Sequence, residues 1–568
     1  MKKLLLTLCC LLLSANTIWS QGAATNPQSA YLDSLYFMVF DRLVQTGSVM
    51  PFGQGDISSY DEVTTSFYRS MWTLNEFPAD GGWWIWQDPG IPDLQSCNWD
   101  SQNMFIQNAY LRLLYNLNLQ NTYLAKAASW NLCPDEQAQV RFVRALTAWY
   151  LLDLFNESHF TTQPNIDCTT LVSRQDLYTW LENELIALTT LLPQTRSDIY
   201  RVDADAAKML LARLYLNAEV YTGTPQWAKA AQYAQQVMSG QHPLCTFPSV
   251  TDAGDRYSAY QKLFMGDNNV NGAQSEALLM LKQDGQTAYS YSGSKFLICI
   301  TRDGNHTMPS WGITDSWKCW RAGYRLLQAF ATTAQLASLK GTEYTMPVSL
   351  LDDRAMFYAD ESYPTPTMTD LYGGYFEKTW SVNKFTNRYS IDPMDGPYTA
   401  GSSPLWPDTD IPLMRSAEAW LTYAEAQFRL GNIGDARSAI DILRSRANTN
   451  PAPATITLDY ILDEWLREFY MEGRRRVDLV RFQQLASPNA TRTWEGHQNV
   501  TNTAYNTFPT LDVRTAYPLP FSVPVPEPTE DIDEITSNQA PYTKVIRDGQ
   551  VLILRGDKAY TLTGQEVQ

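Results

Sequence analysis

The sequence predicts a predominantly α-helical protein, on three observations. Segments 103–124, 136–155, 174–192, 203–220, 226–239, 413–430, 433–447 and 457–483 place apolar residues at i, i+3 and i+4, the period of an amphipathic helix. Few comparable stretches alternate apolar and polar residues as strands do. Two segments join consecutive helical patterns through turns built on Gly or Pro.

Taken from the start, MKKLLLTLCCLLLSANTIWSQ has two lysines, an apolar run from Leu4 to Leu13 and small or polar residues up to Gln21, which reads as a secretory signal peptide over 1–20 cleaved after Ser20. A lipoprotein signal places a small residue directly before the lipidated Cys; here Leu8 precedes Cys9 and Cys9 precedes Cys10, so neither fits. No later stretch has the apolar length that spans a bilayer. The main body is expected over 21–540, with an N-terminal part of about 21–240 and a C-terminal part of about 241–540. Within it, AAKMLLARLYLNAEVYTGTPQWAKAAQYAQQVMSG uses Ala206, Ala207 and Ala212 for close helix approach, breaks at Gly223 and Pro225, and returns through Ala230 and Ala234. AEAWLTYAEAQFRLGNIGDARSAIDILRSRA repeats that grammar with Ala424, Gly431, Ala436 and Ile440. Both resemble tetratricopeptide-like hairpins. Their degenerate repeats and wide separation argue against a regular solenoid. Irregular segments rich in Gly, Pro and aromatics run over about 77–100, 241–316 and 362–410, lengths typical of functional or mobile loops. A Pro-rich acidic strap over 507–540 precedes a small β-unit over 541–568, with Val551–Leu554 as strand core.

The chain has 568 residues, 44% of them hydrophobic, enough for a substantial buried core. A formal charge of −17 with no Lys/Arg stripe excludes nucleic acid as a partner. Beyond the signal, Cys97, Cys133, Cys168, Cys245, Cys299 and Cys319 are widely spaced without CxxC, which indicates neither a zinc site nor a disulfide scaffold. His159, His242, His306 and His497 are scattered, and no HExxH, GxSxG or GxxxxGK[ST] occurs. Glu464, Glu468 and Glu472 lie at helical i, i+4 spacing beside Arg467, Arg474 and Arg475; such charges read as ion pairs that fix helix packing, not as a catalytic carboxylate pair. Asp267, Asn268, Asn269 and Asn271 cluster oxygen donors without EF-hand spacing and read as a turn, so no metal and no cofactor are expected.

The aromatic loops carry the functional signal. Sugars present C–H faces that stack on flat rings and hydroxyls that need polar partners. GGWWIWQDPGIPDLQSCNWD supplies Trp83, Trp84, Trp86 and Trp99 with Asp88 among them, and the stretch from Tyr291 to HTMPSWGITDSWKCWRAGYR supplies Trp311, Trp317, Trp320 and Arg321. The competing reading is that several of these tryptophans anchor loops to the helical body, as buried Trp usually does.

Several segments, in order, resemble the SusD/RagB family of outer-membrane nutrient-binding proteins: QVRFVRALTAWYLLDLFN, SRQDLYTWLENEL, RVDADAAKMLLARLYLNAEVY, WAKAAQYAQQVMSG, IPLMRSAEAWLTYAEAQFRLGN, ILDEWLREFYMEGRRRVDLVRF and YPLP. WTLNEFPADGGWWIWQDPGIPD is similar to the corresponding stretch of starch-system members. The resemblance implies a mostly α SusD-like fold with long irregular ligand-binding loops, no catalysis, and capture of a neutral oligosaccharide such as an α-glucan. It further implies a position peripheral to the outer membrane, on its extracellular face, as the lid of a SusC-like TonB-dependent transporter. Both aromatic loops fall where starch-binding relatives build their sites. The segment after about 543 departs from the usual family end and resembles short C-terminal sorting domains of Bacteroidetes secretion. The alternatives are a peptide-nutrient receptor or a protein-binding helical scaffold and, with less support, a glycan hydrolase.

Overall fold

The computed structural model describes residues 27–46, 55–57, 64–86, 88–166, 169–246, 257–302, 311–341, 349–362, 380–392, 401–485, 490–492 and 516–520, together with four C-terminal strands. The signal segment and most of the Pro-rich strap lie outside these residues.

In the larger of two compact units, Leu32–Pro526, α1 (Phe67–Glu76) leads into β1 (Gly82–Trp84). There follow α2 (Met104–Trp130), α3 (Pro134–Leu154), α4 (Arg174–Leu191), α5 (Ala204–Leu216) and α6 (Trp227–Met238). Their starts are set locally. Asn103, Ser173 and Asp203 accept first-turn N–H groups of α2, α4 and α5, and Pro134 opens α3. The chain then makes a long excursion that departs through β2 (Ala277–Leu281), carries α7 (Ser294–Thr301) and β3 (Trp320–Ala322), and returns through β4 (Ile411–Arg415). It resumes as α8 (Ala417–Arg429), α9 (Ile433–Arg446), α10 (Leu458–Phe469) and α11 (Arg475–Arg481).

The helical expectation holds, with two informative differences. Segment 413–430 begins as strand β4, and 457–483 breaks at Tyr470–Arg474, where Met471 and Gly473 take positive φ of 66° and 70°. The break presents the Gly473 and Arg474 N–H groups to Glu76 Oε1 at 2.9 and 3.2 Å, so a buried carboxyl on α1 replaces the missing helical acceptors. The second difference concerns the hairpins, whose wide separation in sequence argues against a regular solenoid. Successive helices pack as neighbours from α2 through α6; α6 also packs on α8, and α8 on α9, giving one continuous row although the excursion separates α6 from α8 in sequence. Ala230 and Ala234 of α6, Ala206, Ala207 and Ala212 of α5, and Ala424 of α8 are buried between these helices, which permits the close approach. Antiparallel pairing of β2 with β4, from Ala277 opposite Arg415 to Leu281 opposite Ile411, closes the neck of the excursion.

The junction of row, neck and α10 is held by buried charge. Glu468 accepts from Arg354, Arg415 and Arg446; Glu464 from Arg354, Arg444 and Arg467; and Glu276 from Arg415 and Arg446. Arg213 and Arg474 meet at Glu418, and Lys384 reaches Glu472 at 2.6 Å. The acids of α10 are therefore packing ion pairs, as the sequence predicts.

In the smaller unit, β5 (Tyr542–Arg547), β6 (Gln550–Arg555), β7 (Lys558–Thr561) and β8 (Glu566–Val567) form an antiparallel sheet in the order β8-β7-β6-β5.

Burial pulls the carboxyls of Glu464 and Glu418 upward, but their arginines outweigh it and hold both near 2, against an ordinary 4.5. Their stabilisation is complete above pH 4.5 and lost as pH falls from there toward 2. Urea unfolding at stepped pH should show the midpoint dropping through that window; a midpoint unchanged down to pH 3 would contradict the charged junction.

Candidate glycan platform

β1 and β3 pair antiparallel, Gly82 opposite Ala322, Trp83 opposite Arg321 and Trp84 opposite Trp320, so the two aromatic loops meet. Trp320 packs on the Gly82 backbone so closely that a Cβ there would lie 2.4 Å from its ring. Trp72, Phe77, Phe296 and Trp84 surround that contact, with Trp72–Trp320 and Phe77–Trp320 centroids 5.1 and 5.8 Å apart. Most of the side chains expected at the site are buried. Trp83, Trp84, Trp311 and Trp320 are buried, Trp99 is buried against Tyr517, and Arg321 is buried with its Nη1 donating to Thr301 O and Ser381 Oγ. These buried side chains form a floor beneath the rings that reach the surface. Of the expected residues, Trp86 and Asp88 are exposed and Tyr291 is half-buried.

From the floor a chain of rings runs to the surface. Trp86, 46% exposed, stands edge-on to Trp84 at 5.9 Å. Trp84 stacks on Phe296, which abuts Trp317. Trp317 stacks on Tyr291 at 6.2 Å and 18°, and Trp406 lies 4.8 Å from both Tyr291 and Tyr289. Trp317, Tyr291, Trp406 and Tyr289 are all half-buried. The sequence reading named Trp317 and missed Tyr289 and Trp406; the signals present were the Tyr-Ser-Tyr alternation in AYSYSG and a Pro-flanked Trp in the flagged 362–410 segment.

These rings sit on irregular chain whose polar groups are satisfied internally. At the C-terminal end of α7, Arg302 Nη1 donates to the carbonyls of Ile313, Thr314 and Asp315 at 2.8, 2.6 and 2.9 Å, and Ser316 Oγ returns a bond to Arg302 O. Trp317 N–H donates to Cys299 O, and Thr314 N–H to Pro404 O. Asp408 accepts from Gly285 N–H, Ser402 N–H and Tyr389 Oη, joining the 284–291 loop to the 401–406 loop. Asp410 accepts from Tyr200 Oη and Gln283 N–H, and burial raises its pKa to about 7. The fringe is acidic: Asp315 is 37% exposed and Asp284 is half-buried.

Two oxygen-donor clusters are internally hydrogen-bonded. Asp267 accepts from Ser390 and Asn271, and Asn268 donates to Leu263 O and Asp410 O, the turn expected from sequence. Asp203, Asp205 and His242 lie together at the start of α5, where Asp203 accepts from Asp205 N–H and pairs with His242, and Asp205 accepts from Gln241 N–H and Lys208.

Comparison with known proteins assigns this helical architecture to a family. The chain belongs to the SusD family: residues 286–527 match the family profile, and over 485 residues the chain is 35% identical to the starch-binding protein SusD of Bacteroides thetaiotaomicron, covering 80% of this chain and 85% of that one. Among solved structures it resembles a SusD superfamily protein from Bacteroides vulgatus (TM-score 0.57, 16% identity, 86% of this chain and 95% of that one). It likewise resembles a laminarin-binding SusD-like protein (TM-score 0.57, 18% identity, 87% and 95%). Among the described residues no helix is long and apolar enough to cross a membrane.

The division between floor and rim is testable. Trp320→Ala should lower stability by about 3–5 kcal/mol, the cost of an emptied aromatic core site, whereas Trp86→Ala should cost less than about 1 kcal/mol. Urea denaturation of both variants checks this, and equal costs would contradict the assignment.

Proposed function

We propose that this chain is a non-catalytic receptor for a neutral oligosaccharide, an α-glucan first among them, that hands its ligand to a SusC-like TonB-dependent transporter at the outer face of the outer membrane. The observation that carries this reading is the ring series Trp86, Trp317, Tyr291, Trp406 and Tyr289 at the surface with acids at its edge, since stacking and hydroxyl recognition together are what a sugar requires. The likeness to a protein named for starch binding supports the same ligand class. The acids of α10 give no support to hydrolysis: Glu464 and Glu468 are buried and held far below their ordinary range, where a general acid needs a raised pKa. Binding on an open platform is expected to be of modest affinity, because a solvent-rimmed site buries little of its ligand.

Affinity electrophoresis and calorimetry against a glycan panel including starch test the reading. Trp317→Ala and Trp406→Ala should each weaken binding by about tenfold or more, as for central aromatic anchors. Retention of wild-type binding by both variants, or no binding to any glycan by the folded wild type, would contradict it.

We further propose that the C-terminal β-unit serves delivery to the surface. A chain ending at residue 540 should then be lost from the protease-accessible fraction of intact cells while still folding; normal surface exposure of that chain would overturn the idea.

A further inference from the structure

We infer that Lys295 is a positioning residue for the platform: its single ammonium group sets the mutual placement of the three loops that carry the rings. The inference rests on the glycan-platform reading above and concerns what pre-forms that site.

Lys295 stands in the first turn of α7 with its side chain only 1% exposed. Its Nζ lies 2.6 Å from Asp315 Oδ2, 4.6 Å from the Tyr291 ring centroid and 4.1 Å from that of Trp406. A buried ammonium is costly unless it is paired, and here its carboxylate and both of its ring partners belong to the platform. Tyr291 comes from the loop before α7, Asp315 from the loop after it, two residues from Trp317, and Trp406 from the return limb of the excursion.

The surrounding bonds show why a further constraint matters. Arg302 and Ser316 fix the backbone of 313–316, and Asp408 fixes that of 285 and 402, but these bonds act on main chain and loop edges. The rings themselves meet through ring-to-ring contacts, which tolerate sliding and tilt. A cation drawn to two ring faces and one carboxylate at once is satisfied over a narrow range of geometry, because attraction to a ring face and to an anion both fall steeply with distance. It therefore holds Tyr291, Trp406 and the Asp315–Trp317 loop in a single arrangement before ligand arrives. The expected gain is in pre-organisation, which lowers the cost of ordering the site on binding.

The test measures binding of maltoheptaose by calorimetry and the near-ultraviolet circular dichroism of the unliganded protein, for wild type, Lys295→Met, Asp315→Asn, the double variant, and Trp317→Ala as a reference for the platform itself. Lys295→Met keeps the length of the side chain and removes the charge. It should weaken binding about tenfold and alter the aromatic circular dichroism without ligand, a signature that a purely structural role elsewhere in the fold would leave alone. Asp315→Asn should act in the same direction and also reports if Lys295→Met fails to fold. The double variant should be no weaker than Lys295→Met, because the two groups act as one unit. Wild-type affinity in Lys295→Met and Asp315→Asn while Trp317→Ala loses binding would overturn the role of Lys295 and leave the platform standing. An unchanged aromatic spectrum in a weakened Lys295→Met would overturn the positioning role as well. Wild-type binding by Trp317→Ala would instead overturn the platform reading.

Discussion

The buried ion network around Glu468 is the constraint on which the rest of the structure depends. Its arginines arrive from distant parts of the chain: Arg354 from within the excursion, Arg415 from the returning neck strand and Arg446 from the last helix of the row. Removing any one partner leaves an uncompensated charge in a dry interior, which costs several kcal/mol, so the three segments are obliged to converge. Because Glu276 at the foot of β2 shares Arg415 and Arg446, the same network draws both ends of the excursion together. What lies between them becomes a large closed loop, free of the helix row's repeat geometry and available to carry a site.

A physical route connects that junction to the platform. Lys384 donates to Glu472 and to the carbonyls of Glu468 and Tyr470. Three residues on, Asn387 N–H meets Trp311 O and Asn387 Oδ1 accepts from Asp408 N–H, and Asp408 fastens Gly285 and Ser402 beside the half-buried rings. The loops lack regular secondary structure, yet their backbone groups are paired through these residues, as buried irregular chain requires. The floor works likewise: β1–β3 pairing and the Trp72–Phe77–Trp320 cluster give the rim a rigid base.

The helical body was legible because two signals survive locally, the 3.6-residue apolar period and the Ala/Gly grammar of the hairpin turns, and both were read correctly at Gly223 and Gly431. The joining of α6 to α8 was not legible, since nothing near Ala230 announces a neighbour almost two hundred residues away. The break at Tyr470–Arg474 lay hidden under an unbroken apolar period; the Gly473 that permits it gains its meaning only from Glu76 across the core. The site was legible as a region more than as residues. Composition marks GGWWIW as aromatic, but Trp83 and Trp84 are buried because both faces of β1 are covered, while Trp86, just past the strand, stays at the surface. Trp406, Tyr289 and Lys295 escaped notice because their significance lies in a meeting of loops that are separate in sequence.

The most direct measurement is a crystal structure of the protein soaked with a maltooligosaccharide. Sugar rings lying against Trp86, Trp317, Tyr291 or Trp406, with hydroxyls toward Asp315, are the predicted result. Sugar bound along the helix row, with these rings bare, would contradict the platform.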